Sequence, residues 1–177
     1  MVVCPSCGWS GKKFLPYKRQ FRDNAECPGC GSRERHRYLY IYLKSILPSD
    51  KKIKVLHIGP FEAIRKLFLS YPNIEYLSID IFPEKLKAMK KEDLTCLTFD
   101  NNQFDFIFAC HVLEHVLDEK KALSEIYRVL KPGGKAILQV PIFDHDVTVE
   151  YEDEKERIKY LGRSDHVRAY GRDYKKD

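Results

Sequence analysis

The stretch VLHIGPFEAI, Val55 to Ile64, decides how the rest of the chain is read. It lies within a short β-rich run, KIKVLHIG, that ends at Gly59. FEAIRKLFLSY then carries apolar residues at helical spacing. A strand feeding a helix through a glycine turn opens many nucleotide-binding folds, and such turns usually carry two or three glycines. Here Gly59 stands alone, and Pro60, Phe61 and Glu62 occupy the positions where the others would be.

Working outward, IEYLSIDI reads as a second buried strand that ends in Asp80. After the short connection FPEKLKAMKKED comes QFDFIFAC, another strand. LDEKKALSEIYRVL is an amphipathic helix with Ala122, Leu123, Ile126, Val129 and Leu130 on one face. KPGG is expected to stop that helix, with Gly133 or Gly134 in the left-handed cap conformation. KAILQVPI follows as a strand. Strands alternating with helices predict an α/β, Rossmann-like parallel sheet with helices on both faces. Ligands in such folds bind outside the carboxyl ends of the strands. Three segments fall there: the turn at Gly59, the end of the second strand at Asp80, and CHVLEHV. Asp80 follows Gly59 by about twenty residues, the spacing of a carboxylate that accepts ribose hydroxyls.

Ahead of this region, Cys4, Cys7, Cys27 and Cys30 stand as CPSCG and CPGCG. The spacing C-x2-C-x19-C-x2-C suits a four-cysteine zinc site, two tight turns each aiming two sulfurs at one ion. Four thiolates leave no open position, so the role expected is structural. So short a segment depends on the metal for its folding. We therefore divide the chain into a zinc ribbon (1–32), a bridging helix (33–50) and the Rossmann-like domain (51–177). In SRERHRYLYIYLKSIL, Ser32 is the expected N-cap, and Leu39, Tyr42, Leu43 and Ile46 form the apolar face. Arg33, Arg35 and Arg37 cluster at the start of this helix, beside His36.

The net charge is +5, but residues 1–45 alone carry nine Lys/Arg against three Asp/Glu. That basic segment is a candidate contact for nucleic acid or a protein, although only Phe14, Tyr17 and Phe21 interleave with it as stacking groups. The apolar runs are too short for a membrane span, and MVVCPSCGW has no signal-peptide pattern. The location expected is cytoplasmic, where a disulfide framework is not formed. Cys96 and Cys110 sit in apolar surroundings and read as buried thiols.

At this point FDFIFACHVLEHV followed by ALSEIYRVLKPGGKAILQVP resembles the later half of class I S-adenosylmethionine-dependent methyltransferases of the type 11 kind. EDLTCLTFDNNQFD resembles the segment just before it, and VLHIG with YLSIDI resembles the first two strands. CPSCG…CPGCGSRERHR resembles the zinc ribbon of one subgroup. The resemblance covers nearly the whole chain and implies S-adenosylmethionine as cofactor. It places Asp80 and Ile81 at the ribose and Asp93 and Leu94 at the adenine. His57, Gly59, Glu62, Cys110 and His111 complete the cofactor residues that it implies, with Glu62 supplying a carboxylate where the family has one in place of His57. His111 and His115 are the catalytic candidates, as base or substrate contact. The segment between Asp80 and Asp93 is shorter than the family's, so a helix and most of the third strand are expected to be trimmed. The chain also lacks the usual last helix and strand pair, and a curtailed sheet exposes an edge that invites a homodimer. Two functions are carried forward. One is methyl transfer to an acceptor that the sequence does not name. The other is a non-catalytic nucleic-acid- or protein-binding role on a degenerate methyltransferase scaffold.

Overall fold

The computed structural model describes residues 1–17 and 22–175, so Phe21 lies outside the described residues. The chain forms two compact units. One comprises Met1–Lys52 and Phe61–Glu75, the other Ile53–Pro60 and Tyr76–Asp177.

The first unit begins with two antiparallel pairs, β1 (Val2–Val3) with β2 (Ser10–Gly11) and β3 (Leu15–Tyr17) with β4 (Arg22–Glu26). Its two cysteine turns are built alike. Gly8 donates its N–H to the Cys4 carbonyl at 2.9 Å, and Gly31 donates to Cys27 at 2.8 Å. Both glycines have positive φ, +75° and +67°, which is why glycine follows each second cysteine. Cys4, Phe14 and Cys27 are buried together, with Val2, Trp9 and Cys30 packed around them.

Helix α1 (Glu34–Ile46) is capped by Arg33, not Ser32. The Arg33 N–H donates to His36 Nδ1 at 3.3 Å, while the buried Ser32 hydroxyl turns to the cysteine sulfurs. Arg37 departs from the expected surface cluster. It is buried, donates to the Ala25 and Ser32 carbonyls at 2.9 and 2.6 Å, and stacks over Phe14. Arg33 lies over the Tyr17 ring. Leu39 and Leu43 are buried on α1 as expected, but Tyr42 is exposed and Leu47 takes the next buried place. Helix α2 (Glu62–Leu69) packs on α1 and buries Ala63, Ile64, Leu67 and Phe68. Phe61 caps α2 and sets its ring 4.5 Å from that of His36.

The second unit is built on five parallel strands in the order β7-β6-β5-β8-β9. They are β5 (Ile53–Ile58), β6 (Ile74–Asp80), β7 (Lys90–Lys91), β8 (Phe104–Cys110) and β9 (Leu130–Gln139). In β5 every residue but Lys54 is buried, as a central parallel strand requires. Its partner β8 is buried except at Asp105. The trimmed segment is short indeed: a single turn, α3 (Pro83–Leu86), and the two residues of β7. Helix α4 (Glu119–Val129) buries Ala122, Ile126 and Val129 but leaves Leu123 partly in solvent.

KPGG does not cap α4 as expected. The helix ends at Val129, Leu130 is already extended, and Gly133, with φ +75°, lies inside β9. There the register against β8 jumps from Phe104↔Leu130 to Phe106↔Lys135. The left-handed glycine therefore absorbs the extra residues of a bulge. Beyond β9, β10 (Val149–Glu150) pairs antiparallel with β11 (Arg168–Ala169), and helix α5 (Glu154–Leu161) lies between them in the chain. No helix of the described residues is long and apolar enough to cross a membrane.

The turn after β5 has little room. Gly59 has φ +61°, and a Cβ there would lie 2.7 Å from Val112 Cγ2. Gly59→Ala should lower stability by about 1–3 kcal/mol, since strain and overlap add. Urea unfolding of the variant beside the parent measures this.

Candidate functional site

Three strands of the second unit end at one cavity. β5 delivers Gly59, β6 delivers Asp80 and β8 delivers His111, with Val112 beside it. The cavity measures about 980 Å³ and is also lined by Ile81, Asp93, Leu94 and His115. Seven residues singled out in the sequence, on four segments far apart in the chain, thus meet in one place.

Each polar member is held. The Gly59 N–H donates to the Ile79 carbonyl at 3.0 Å, which extends the β5–β6 ladder into the turn. Asp80 Oδ1 accepts the Phe82 N–H at 2.7 Å. Asp93 Oδ1 accepts both the backbone N–H and the hydroxyl of Thr95 at 2.8 Å, and these bonds draw its carboxyl below the ordinary value. His111 adopts φ +58°, a conformation uncommon for a residue with a side chain. Its N–H donates to Gln139 O at 2.9 Å, and its Nδ1 lies 2.8 Å from Glu114 Oε1. Glu114 is completely buried on the short 3₁₀ turn Leu113–His115. His115 Nδ1 bonds the Asp165 carbonyl at 2.8 Å. Asp165 itself is paired with Arg163, which holds its carboxyl down at about 2.

Three of the expected cofactor residues sit elsewhere. His57 is fully buried within β5, bonded through Nδ1 to the Tyr76 hydroxyl at 3.1 Å and edge-on to Phe108. Cys110, the last residue of β8, is buried opposite its ladder partner Gln139, with its thiol 2.8 Å from Gln139 Oε1. His57 precedes the carboxyl end of its strand, where ligands sit, and the Cys110 thiol is turned to Gln139. Glu62 belongs to the other unit, on the first turn of α2, where it pairs with Arg65 and Lys66 at 3.4 and 3.5 Å.

Two charged residues near the cavity were not among the expected site residues. Glu92 lines the cavity but is buried, bonded to Lys90 Nζ and to the Thr98 N–H and hydroxyl. Arg168, in DHVRAYG, is 1% exposed. Its guanidinium donates to the carbonyls of Leu113, Val116 and Leu117 at 2.7, 2.7 and 3.0 Å and pairs with Glu150 at 3.0 Å. Tyr170, buried beside it, donates to Glu119. Burial, with that carboxylate alongside, pushes the Tyr170 phenol well above its ordinary value. An arginine in a polar, chain-terminal stretch carries no pattern that marks it as interior.

In the first unit the four cysteine sulfurs lie within 4.8 Å of one another. Cys4 and Cys30 are 3.8 Å apart, and Cys7 and Cys27 are 3.7 Å apart. Zn–S bonds of about 2.3 Å in a tetrahedron set sulfurs about 3.8 Å apart, so the cluster fits a zinc ribbon. Burial and the neighbouring thiols push Cys7 up to about 12. Burial also works against Cys4, yet the Ser32 hydroxyl and nearby backbone N–H groups draw it down to about 6.

Residues 56–138 match the family model described as a methyltransferase domain. A 2-phytyl-1,4-naphtoquinone methyltransferase of Nostoc punctiforme is 40% identical over 57 residues, 32% of this chain and 25% of that protein. An uncharacterised protein of Methanocaldococcus jannaschii is 32% identical over 100 residues, 52% of this chain and 49% of that protein. This chain thus spans half or less of those relatives' lengths. Among solved structures, a chain from the complex of the Haloferax volcanii Trm112 methyltransferase activator with a methyltransferase superposes with a TM-score of 0.59. It is 20% identical, and the alignment covers 81% of this chain and 66% of that one, which supports the fold.

The guanidinium of Arg168 ties down the whole turn that carries Glu114 and His115. Arg168→Met should remove the hydrogen bonds to the Leu113, Val116 and Leu117 carbonyls and lower stability by about 3 kcal/mol or more. Denaturant unfolding is the check, and Arg163→Met, at an exposed ion pair, should change it by less than about 1 kcal/mol.

Proposed function

We propose, from the premise that residues 56–138 belong to the methyltransferase-domain family, that the second unit binds S-adenosylmethionine in the cavity at its strand ends. One observation carries the reading. A single cavity gathers Gly59, Asp80, Ile81, Asp93, Leu94 and His111 from segments spread over fifty residues of chain. Its size, about 980 Å³, is at the upper end of the roughly 300–1,000 Å³ of small-molecule sites. The donor set fits: carboxylates at Asp80 and Asp93 for hydroxyl and amino groups, with apolar walls at Ile81 and Leu94 for a flat ring.

The sulfonium of the bound cofactor supplies an electrophilic methyl group, so the protein's task is orientation. Asp80 accepts the ribose hydroxyls and Asp93 anchors the adenine end. Gly59 lets the backbone come close where a side chain would meet Val112. His57 and Cys110 support the strand ends from behind the cavity wall. His111, fixed through Glu114, and His115 stand on the acceptor side, where either imidazole takes a proton from the nucleophile or bonds the acceptor. The methyl acceptor is a separate molecule that enters beside His115. In the first unit, the four cysteines hold a structural Zn²⁺.

Calorimetric titration of the chain with S-adenosylmethionine and with its demethylated product tests the reading. Asp80→Ala should weaken binding about 10- to 100-fold, or about 1.5–3 kcal/mol. A folded parent that binds neither molecule refutes it. The zinc assignment is tested apart from this: chelation should expose residues 1–32 to protease while the sheet of the second unit stays protected from hydrogen exchange.

A further inference from the structure

Glu114 and His115, already placed on the acceptor side, form a second group of donors together with His166 beside the cavity. Glu114 and His115 on the 3₁₀ turn and His166 just before β11 each bring one ligand-type atom to within 4.8 Å of the others. Two of these residues carry buried polar atoms with nothing to bond. Glu114 Oε2 and His166 Nδ1 have no hydrogen-bond partner among the described residues. Glu114 is 0% exposed, and only its other oxygen is engaged, by His111. A buried carboxyl satisfied on one side is costly, and a cation is one group that removes the cost.

We propose that Glu114, His115 and His166 bind a divalent first-row transition cation of the zinc, iron or cobalt class. Two imidazoles and one carboxylate are the donor set such ions take while keeping open positions, whereas Mg²⁺ and Ca²⁺ prefer all-oxygen sites. The scaffold around the three is rigid. The Val167 N–H donates to the Glu114 carbonyl at 2.8 Å, and Arg168 binds the carbonyls on either side of His115. The Asp165 carbonyl bonds His115 Nδ1, which places the proton there and leaves the Nε2 lone pair for an ion. His111 plays the same orienting part toward Glu114. Metal bonds of about 2.1 Å need donors roughly 3.0–3.4 Å apart, so side-chain rotation of about an ångström closes the site. Because His115, Asp165 and Val167 line the cavity, an ion held here borders it, where an oxygen-bearing acceptor is able to coordinate.

The test uses the full chain with its cysteine site first saturated with zinc, titrated with CoCl₂ and followed by calorimetry and visible absorption. The parent should take one further equivalent of Co²⁺ with a spectrum free of thiolate charge transfer. His166→Ala and His115→Gln should each weaken that step about 100-fold or more, beyond the roughly 10- to 100-fold of an outer-shell loss. Both variants should keep the parent's metal-free melting profile, since both side chains are partly exposed. No further equivalent in the folded parent overturns the proposal, as does equal affinity in parent and both variants. Neither outcome depends on whether S-adenosylmethionine binds.

Discussion

Arg168 is the group on which the second unit's site depends. Its guanidinium donates to three carbonyls of one short turn and pairs with Glu150. A 3₁₀ turn of three residues has few hydrogen bonds of its own. Left alone, it would fray at the mouth of the cavity. The planar, always-charged guanidinium is suited to collecting several fixed acceptors at once, which an ammonium group does less well. The turn it secures then fixes Glu114 from behind and presents His115 at the cavity.

The strand ends supply the rest. In a parallel sheet the residues within each strand are covered on both faces, and ligands sit outside the carboxyl ends of the strands. This separates Cys110 from His111, neighbours in sequence with different roles. The first is buried against Gln139; the second, with its backbone in the left-handed region, turns toward Glu114 and the cavity. The same rule puts His57 inside the sheet and leaves Gly59 at the rim. The turn at Pro60 and Phe61 resolves likewise: Phe61 caps α2 and lies on His36.

Much of this was legible beforehand. The period-2 and period-3.6 patterns located β5, β6, β8, α2 and α4, because burial of one face or both leaves its mark on composition. The cysteine spacing located the ribbon, since two C-x2-C turns and one ion leave few geometries. Asp80 was legible because a strand was expected to end there, and Asp93 only through the resemblance of its segment to the family. The misread elements share a cause. Ser32 looked like a helix cap, but the cysteine sulfurs compete for its hydroxyl. KPGG looked like a helix stop, but a glycine at positive φ serves a bulge equally well, and only the register with β8 distinguishes them. Arg37 looked like a surface cation, but the Ala25 and Ser32 carbonyls hold it inside.

The sequence by itself therefore determined the strand and helix alternation, the four-cysteine ribbon and the carboxylates that face the cavity. Local periodicity and fixed spacing carry that information, and both survive in one dimension. The tertiary structure alone decided which polar residues are interior. Arg168 and Glu114, about fifty residues apart in the chain, are both buried at the same turn, and their burial is set by partners that no local pattern announces.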